Sequence, residues 1–181
     1  YYSNLYQHEM SNKIELREYQ KDIVSRATDI IKVNRFVYLA MEVRTGKTLT
    51  SLKICDNLED VNNVLFITKK KAIKTIEDDF EMISPSYKIT VINYESIHKL
   101  PKIKWDIIVI DEAHSLGAFP KPSGRAVAIK NLIQANWCRV ILLSGTPTPE
   151  SYSQMFHQVY GIPTNPFRQY TTCLLYTSDA A

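Results

Sequence analysis

Five short apolar runs, rich in Val, Ile and Leu, alternate along this chain with longer segments of mixed polarity. Continuous apolar runs of this length are typical of strands that are buried on both faces of a sheet. The predicted strands cover residues 36–40, 64–67, 89–92, 105–110 and 140–143. Alternation of such strands with helices predicts an α/β fold, with a mostly parallel sheet and helices on both faces. Ligands of these sheets bind beyond the carboxyl ends of the strands, so a site is expected at that edge.

The segments between the strands are predicted as helices. In residues 16–31 and 70–83 the apolar side chains recur at helical spacing. Further helices are predicted over 47–58, 95–99 and 125–135, with a last one that begins near residue 151. Trp105 begins the fourth predicted strand and Trp137 precedes the fifth, and we interpret both as packing residues rather than as platforms for base stacking.

The composition bounds the class of protein. With 181 residues, 45% hydrophobic and 23% charged, the chain is long enough for one globular domain with its own core. A cytoplasmic protein is expected, because no run approaches the roughly 20 apolar residues of a membrane span and the first residues lack a signal-peptide pattern. Cys55, Cys138 and Cys173 have no C-x-x-C spacing, which predicts buried free thiols rather than a zinc site or a disulfide framework. The net charge of +3 does not by itself indicate nucleic acid.

The first predicted strand runs into the segment MEVRTGKT, residues 41–48. Its end matches the pattern G-x-x-x-x-G-K-[ST], in which backbone N–H groups hold phosphates, Lys reaches the β- and γ-phosphates, and Ser or Thr binds Mg²⁺. On this string alone a chance GKT is the alternative. The strand before the turn and the helix after it favour a nucleotide site, built from Thr45, Gly46, Lys47 and Thr48.

Two positions in this segment differ from the pattern. Met41 replaces the first glycine, which indicates that the entry to the loop needs no positive φ. Arg44 occupies an inner position that is often glycine, and we expect it to lie beside the phosphates or to pair with an acid such as Glu42 or Glu112.

Two further strings follow predicted strands. Asp111 and Glu112 come directly after the fourth strand, and Ser144, Gly145 and Thr146 follow the fifth. Because parallel strands end at one edge, all three strings are expected to converge on one ligand. There Asp111 is suited to hold the Mg²⁺ that bridges phosphates, and Glu112 to orient and deprotonate water. A solvated pair of acids is the alternative reading of Asp111 and Glu112.

Together these strings resemble the first RecA-like domain of superfamily 2 helicases and translocases, with DEAH at residues 111–114 as motif II and GKT as motif I. The resemblance covers residues 16 to about 167. It implies ATP and Mg²⁺ as cofactors and ATP hydrolysis as the reaction. Lys47, Asp111 and Glu112 would then be catalytic, and Thr48 and Asp111 would hold the metal.

Other motifs of the family are also matched. The string LREYQ, residues 16–20, is similar to the adenine-recognising Q motif, in which Gln20 would read the base edge and Arg17 would support it. The SGT string of residues 144–146 is similar to motif III, which couples nucleotide state to strand binding, and His114 would link motif II to it.

A basic cluster follows the second strand. Lys69, Lys70 and Lys71 would on their own be read as a solvated helix face. The string VLFITKKKAI resembles motif Ia, which implies contacts to a nucleic-acid backbone, with double-stranded DNA as the expected partner. Such contacts would be salt-dependent and independent of sequence.

The strings NYESI, KWDIIVIDEAH, RAVAIKNL and LLSGTPTPE are similar to the Swi/Snf-like branch and its phage relatives, which implies a bacterial cell or a phage-infected host. We expect residues 1–15 to be a lead-in, residues 16–172 to be the helicase ATP-binding domain, and residues 173–181, CLLYTSDAA, to be an adapter-derived artefact. The family hydrolyses ATP between two RecA-like domains, and 181 residues leave no room for the second.

Three other functions remain open from the sequence. The motor part of a restriction–modification subunit would use the same motifs. A nucleotide-dependent binding module without turnover is a different class, against which Glu112 argues because a pure binder needs no water-activating carboxylate. A small-molecule kinase is disfavoured, since it would lack the SGT string and the Q-like segment.

Overall fold

The computed structural model describes residues 15–42, 44–118, 120–148 and 153–169. The described residues form five α-helices and five strands in this chain order: α1 (Glu18–Asn34), β1 (Phe36–Ala40), α2 (Lys47–Asp56), β2 (Asn63–Thr68), α3 (Ile73–Ile83), β3 (Lys88–Asn93), β4 (Ile107–Ile110), α4 (Gly124–Asn136), β5 (Arg139–Ser144) and α5 (Gln154–Val159). Short 3₁₀ turns lie at Lys70–Ala72, Tyr94–Lys99 and Ala113–Leu116.

The five described strands form one sheet in the order β1-β5-β4-β2-β3, and every neighbouring pair is parallel. This confirms the predicted α/β class with a parallel sheet. The strands β1, β5 and β4 are adjacent in the sheet, so their carboxyl ends lie side by side. The segments that follow these three strands are therefore neighbours in space, as the site requires.

Helices cover both faces of the sheet. On one face, Ile31 of α1 and Leu52 of α2 pack with Phe66 of β2 in a cluster of fully buried side chains. On the other face, Ile133 of α4 packs with Leu65 of β2. Each such side chain contributes about 1.5–3 kcal/mol through removal of apolar surface from water. The two clusters fix the strands, and through them the loops at the carboxyl edge.

Helix boundaries differ from the prediction where capping decides them. The first helix begins at Glu18 rather than at residue 16, because Arg17 is its N-cap residue and the Arg17 backbone N–H donates to Gln20 Oε1 at 2.8 Å. It continues to Asn34 and ends at Arg35, which adopts a left-handed conformation with φ 62°. The segment predicted as one helix over 70–83 is a 3₁₀ turn followed by α3.

The prediction that Trp137 is a packing residue is wrong. Trp137 is 62% exposed, and the Arg35 guanidinium carbon lies 5.6 Å from its ring centroid. The residue ends α4 in a left-handed conformation, which turns the ring outwards, whereas Trp105 is buried as predicted. Cys55 and Cys138 are buried free thiols, and burial raises the pKa of each.

Several sequence predictions concern residues outside the described ranges. These are most of the lead-in, the helix start near residue 151, Cys173 and the whole of 173–181. Within the described ranges, no helix is both long enough and apolar enough to cross a membrane.

Candidate active site

The loop between β1 and α2 supplies the first part of the site. Gly46 is the N-cap residue of α2 and has φ 79°, a left-handed conformation that glycine adopts without strain. Arg44 adopts φ 65° although it has a side chain, so it occupies a glycine-like conformation at the position where glycine is common. Met41 has no positive φ and is buried in the core, in agreement with the expectation for the loop entry.

Lys47, at the first position of α2, lies folded over this loop. Its ammonium donates to the carbonyl oxygens of Met41 and Glu42, at 3.2 Å each. The Thr45 hydroxyl donates to the same Glu42 carbonyl at 2.7 Å. The loop is thus closed around the lysine, and a bound phosphate would replace carbonyl oxygens as the partner of the ammonium.

Gln20 lies directly against the loop from the side of α1. It is 5% exposed, and its amide Nε2 donates to the Thr45 carbonyl oxygen at 3.1 Å while its Oε1 accepts from Arg17. The Tyr19 hydroxyl donates to the same Thr45 oxygen at 2.9 Å. The Arg17 side chain is exposed. The structure therefore brings Gln20 to the loop, and adds Tyr19, which the sequence motif did not single out.

Asp111 is held at the end of β4. One carboxylate oxygen accepts from the Thr68 hydroxyl at 2.7 Å and the other from the Glu112 backbone N–H at 3.0 Å. Burial raises the pKa of the Asp111 carboxyl, the Thr68 hydrogen bond opposes that shift, and the charge of Glu112 adds to it. Sequence reasoning missed Thr68; the only signal for it was its place at the end of a neighbouring strand.

The described residues contain no cluster of three or more His, Cys, Asp or Glu side chains that could enclose a metal ion. Mg²⁺ does not need one, because it is commonly bound by one or two carboxylates together with substrate phosphates and water. Asp111 follows β4, and Thr48 lies in the first turn of α2, after β1; both are at the carboxyl edge of the sheet, where β5 separates β1 from β4. The donor set fits that mode of binding.

Glu112, His114 and Ser144 form a connected group. Glu112 Oε2 lies 3.3 Å from His114 Nδ1, and the same nitrogen lies 2.9 Å from the Ser144 hydroxyl. Ser144 also accepts from the Thr146 N–H at 3.1 Å through its hydroxyl, and from the Met41 N–H at 3.1 Å through its carbonyl oxygen. The structure thus joins the SGT string, with Gly145 at its centre, to both the DEAH string and the entry of the GKT loop.

The three lysines that follow β2 lie at the same edge. Lys69, Lys70 and Lys71 are exposed, and within the described ranges none of them forms an ion pair, whereas Lys74 pairs with Asp78. Arg44 is also exposed, and in the described part of the chain it does not form the expected pair with Glu42 or Glu112. The carboxyl edge of the sheet therefore carries four exposed cations that form no ion pair among the described residues.

Comparison with known proteins agrees with this geometry. A family model described as "Type III restriction enzyme, res subunit" matches residues 13–101. The helicase SWR1 of Candida glabrata is 22% identical over 178 residues, which cover 80% of this chain and 12% of that protein. The chain therefore spans about an eighth of the length of this relative.

Two solved structures are similar in fold. The Sulfolobus solfataricus SWI2/SNF2 ATPase core in complex with double-stranded DNA has a TM-score of 0.72 at 20% identity, over 92% of this chain and 41% of that one. The UvsW helicase of bacteriophage T4 has a TM-score of 0.57 at 19% identity, over 80% of this chain and 58% of that one. Both matches show that this chain shares the fold of these structures.

Proposed function

We propose that this chain is the first RecA-like domain of a superfamily 2 helicase or translocase, and that it binds ATP with Mg²⁺ and hydrolyses it as half of a DNA motor. One observation carries the proposal. The GKT, DEAH and SGT strings end three adjacent parallel strands and are joined by hydrogen bonds at one edge of the sheet.

Different side chains would have different roles in such a site. Lys47 and the backbone N–H groups from Thr45 to Thr48 would hold the phosphates. Thr48 and Asp111 would hold Mg²⁺, which neutralises charge that develops on the transferred phosphoryl group. Glu112 would orient the attacking water and accept its proton.

The base would lie beside Gln20, with Arg17 in support. Gln20 uses one of its two amide N–H donors on the Thr45 carbonyl, so the second N–H would be the donor for base recognition. Reading the base and holding the loop would then be linked through one side chain.

Double-stranded DNA is the proposed partner, and Lys69, Lys70 and Lys71 are the proposed backbone contacts. They are exposed and form no ion pair with any other described residue, which leaves them available to phosphates. A second RecA-like domain would complete the motor by supplying an arginine finger and the rest of the strand-binding track. We therefore expect low turnover from this domain alone.

A second candidate function is the motor part of a restriction–modification subunit, which the match to the restriction-enzyme family model favours. Both candidates use the same ATP site, and they differ in what is attached to it. A cytoplasmic location, in a bacterium or a phage-infected cell, also stays a prediction.

The ATP site is tested by Lys47→Ala. We expect the affinity for Mg·ATP to fall roughly 50-fold, because a charge-assisted contact of about 1.5–3 kcal/mol to the phosphates is lost. Equilibrium titration with a fluorescent ATP analogue measures the change. Lys32→Ala, which removes an exposed lysine from α1, is the matched control and should bind as the wild-type chain does. Equal affinity in the Lys47 variant and the wild type would refute the proposed site.

The variant Arg44→Gly tests separately whether the backbone of Arg44 is strained and whether its side chain contacts phosphate. The change removes a side chain from a left-handed conformation, so we expect the free energy of unfolding to rise by about 0.5 kcal/mol in urea denaturation. If Arg44 contacts phosphate, the affinity for ATP should fall about tenfold at the same time. Arg44→Lys keeps both the charge and the strain and serves as the control. Unchanged affinity in Arg44→Gly would show that Arg44 is a tolerated loop residue only.

A further inference from the structure

We infer that Gln158 of α5 is a positioning residue that transmits the nucleotide state of the SGT string to α5. The inference rests on the proposed ATP site and deepens it, because it names an output element for that site. It depends on a buried side-chain amide that connects three separate segments of the chain.

The Gln158 amide uses both of its ends. Its Oε1 accepts from the Tyr38 hydroxyl of β1 at 2.6 Å. Its Nε2 donates to the Pro147 carbonyl oxygen, at the exit of the SGT string, at 2.6 Å, and to the Gln154 carbonyl oxygen at 3.1 Å. Gln158 is only 3% exposed, so water cannot readily replace these partners. The amide therefore ties β1 and the exit of the SGT string to the first turn of α5.

Tyr38 connects this amide to the active site. Tyr38 lies two residues before Ala40, which pairs with Ser144, so the Tyr38 and Ser144 side chains lie on the same face of the sheet. Ser144 in turn lies 2.9 Å from His114 Nδ1. Burial raises the pKa of Tyr38 to about 12, so the phenol is neutral near pH 7 and donates to Gln158. Direct contacts therefore join Glu112, His114 and Ser144 on one side and Tyr38 and Gln158 on the other, and the pairing of β1 with β5 connects the two groups.

The loop after the DEAH string contacts the same helix. A Cβ added at Gly117 would lie 2.7 Å from the Gln154 carbonyl oxygen and 3.1 Å from Gln158 Nε2. His157 Nε2 lies 3.0 Å from the Pro120 carbonyl oxygen. Little space separates α5 from this loop, so a shift of the DEAH or SGT string has to be followed by α5 or has to break these bonds.

An amide satisfies both sides of this arrangement, because it accepts through its oxygen and donates through its nitrogen. A carboxylate at position 158 would still accept from Tyr38, but it would face the Pro147 carbonyl oxygen with no proton to donate. A thioether would fill the volume and donate to neither carbonyl. Gln158→Glu and Gln158→Met therefore remove different hydrogen bonds of this side chain while its size stays nearly the same.

Hydrogen exchange of the full chain, with and without saturating Mg·AMP-PNP, tests the inference. In the wild type we expect the nucleotide to slow exchange at the amides of residues 154–159 by about fivefold or more, the lower end of measured couplings between sites. In Gln158→Met and Gln158→Glu, slowing at residues 45–50 should persist and slowing at 154–159 should be lost. Nucleotide affinity should stay within about threefold of wild type. Gln134→Met, an exposed glutamine on α4, should behave as wild type.

Each outcome decides a separate point. If the nucleotide slows amide exchange in α5 of Gln158→Met as much as in the wild type, the proposed role of Gln158 is wrong. The same conclusion follows if the nucleotide does not change exchange in α5 of the wild type. Neither result would contradict the ATP site. Absence of nucleotide binding by the wild type would overturn both. If the Gln158 variants do not fold, Tyr38→Phe removes only the hydroxyl that donates to Gln158, and the same loss of slowing is expected from it.

Discussion

Glu112→Gln is expected to lower the rate of ATP hydrolysis roughly a thousandfold while leaving the affinity for Mg·ATP within about threefold, because a positioned general base contributes about 10²–10⁴ in rate. The amide keeps the size of the carboxylate and removes its ability to accept a proton. Single-turnover hydrolysis with the chain in excess over labelled ATP resolves slow rates and is the appropriate measurement for a domain with low turnover.

The geometry of Glu112 makes this prediction specific. Its backbone adopts a left-handed conformation with φ 54°, and its carboxylate lies 3.3 Å from His114 Nδ1. The backbone conformation and the contact with His114 together orient the side chain. Asp111, one residue earlier, is instead held by Thr68 and by the Glu112 N–H. The two acids thus have different partners, which fits a metal ligand beside a base.

Glu59→Gln is the control for this experiment, since Glu59 is exposed and forms no ion pair in the described part of the chain. It should hydrolyse ATP at the wild-type rate. Comparison with Lys47→Ala completes the test. If Glu112→Gln loses binding to the same extent as Lys47→Ala, the division between a phosphate-binding and a water-activating residue is wrong.

The fold follows closely from the sequence because its strands are buried on both faces. Such strands appear as uninterrupted apolar runs, and the structure has a strand at every predicted run, with ends that differ by at most two residues. The order β1-β5-β4-β2-β3 was not predictable in this way, since burial of a run does not depend on which strand lies beside it.

The candidate site could be predicted only where a motif implies it. The GKT, DEAH and SGT strings follow strands, so their convergence follows from a parallel sheet. The supporting contacts are different, because Thr68, Tyr38 and Gln158 are separated from their partners by 43, 120 and 11 residues. No local pattern encodes such pairs; they arise from tertiary packing. The prediction for Trp137 failed for a different reason, because the left-handed conformation at the end of α4 decides the exposure of its side chain.

Gln20 shows how local and distant constraints meet at one residue. Its Oε1 caps α1 through Arg17, a contact three residues away that belongs to helix formation. Its Nε2 reaches Thr45, 25 residues away, which belongs to the ATP site. A glutamine at this position is therefore required by the helix as well as by the proposed base recognition, and substitution of Gln20 would disturb both.

Gly46→Ala is expected to lower the free energy of unfolding by about 3 kcal/mol and to weaken ATP binding at least tenfold. Gly46 has φ 79°, and a Cβ there would lie 2.2 Å from Gln20 Nε2, much closer than carbon and nitrogen can approach. Either the loop moves, which displaces Lys47, or Gln20 moves, which breaks its bonds to Arg17 and Thr45. Urea denaturation and titration with the ATP analogue measure the two effects.

A double-mutant cycle identifies the cause. If the clash with Gln20 dominates, Gly46→Ala combined with Gln20→Ala should be destabilised by at least 1 kcal/mol less than the sum of the single changes. Additive effects would assign the loss to backbone strain alone. Gly124→Ala is the matched control, because nothing lies within 4 Å of a Cβ added at this first residue of α4 and its φ is not positive. It should be neutral or stabilise the chain by up to about 1 kcal/mol, since alanine favours a helix over glycine. A large loss in this control would mean that glycine substitution destabilises the chain for reasons unrelated to the contact between Gln20 and the loop.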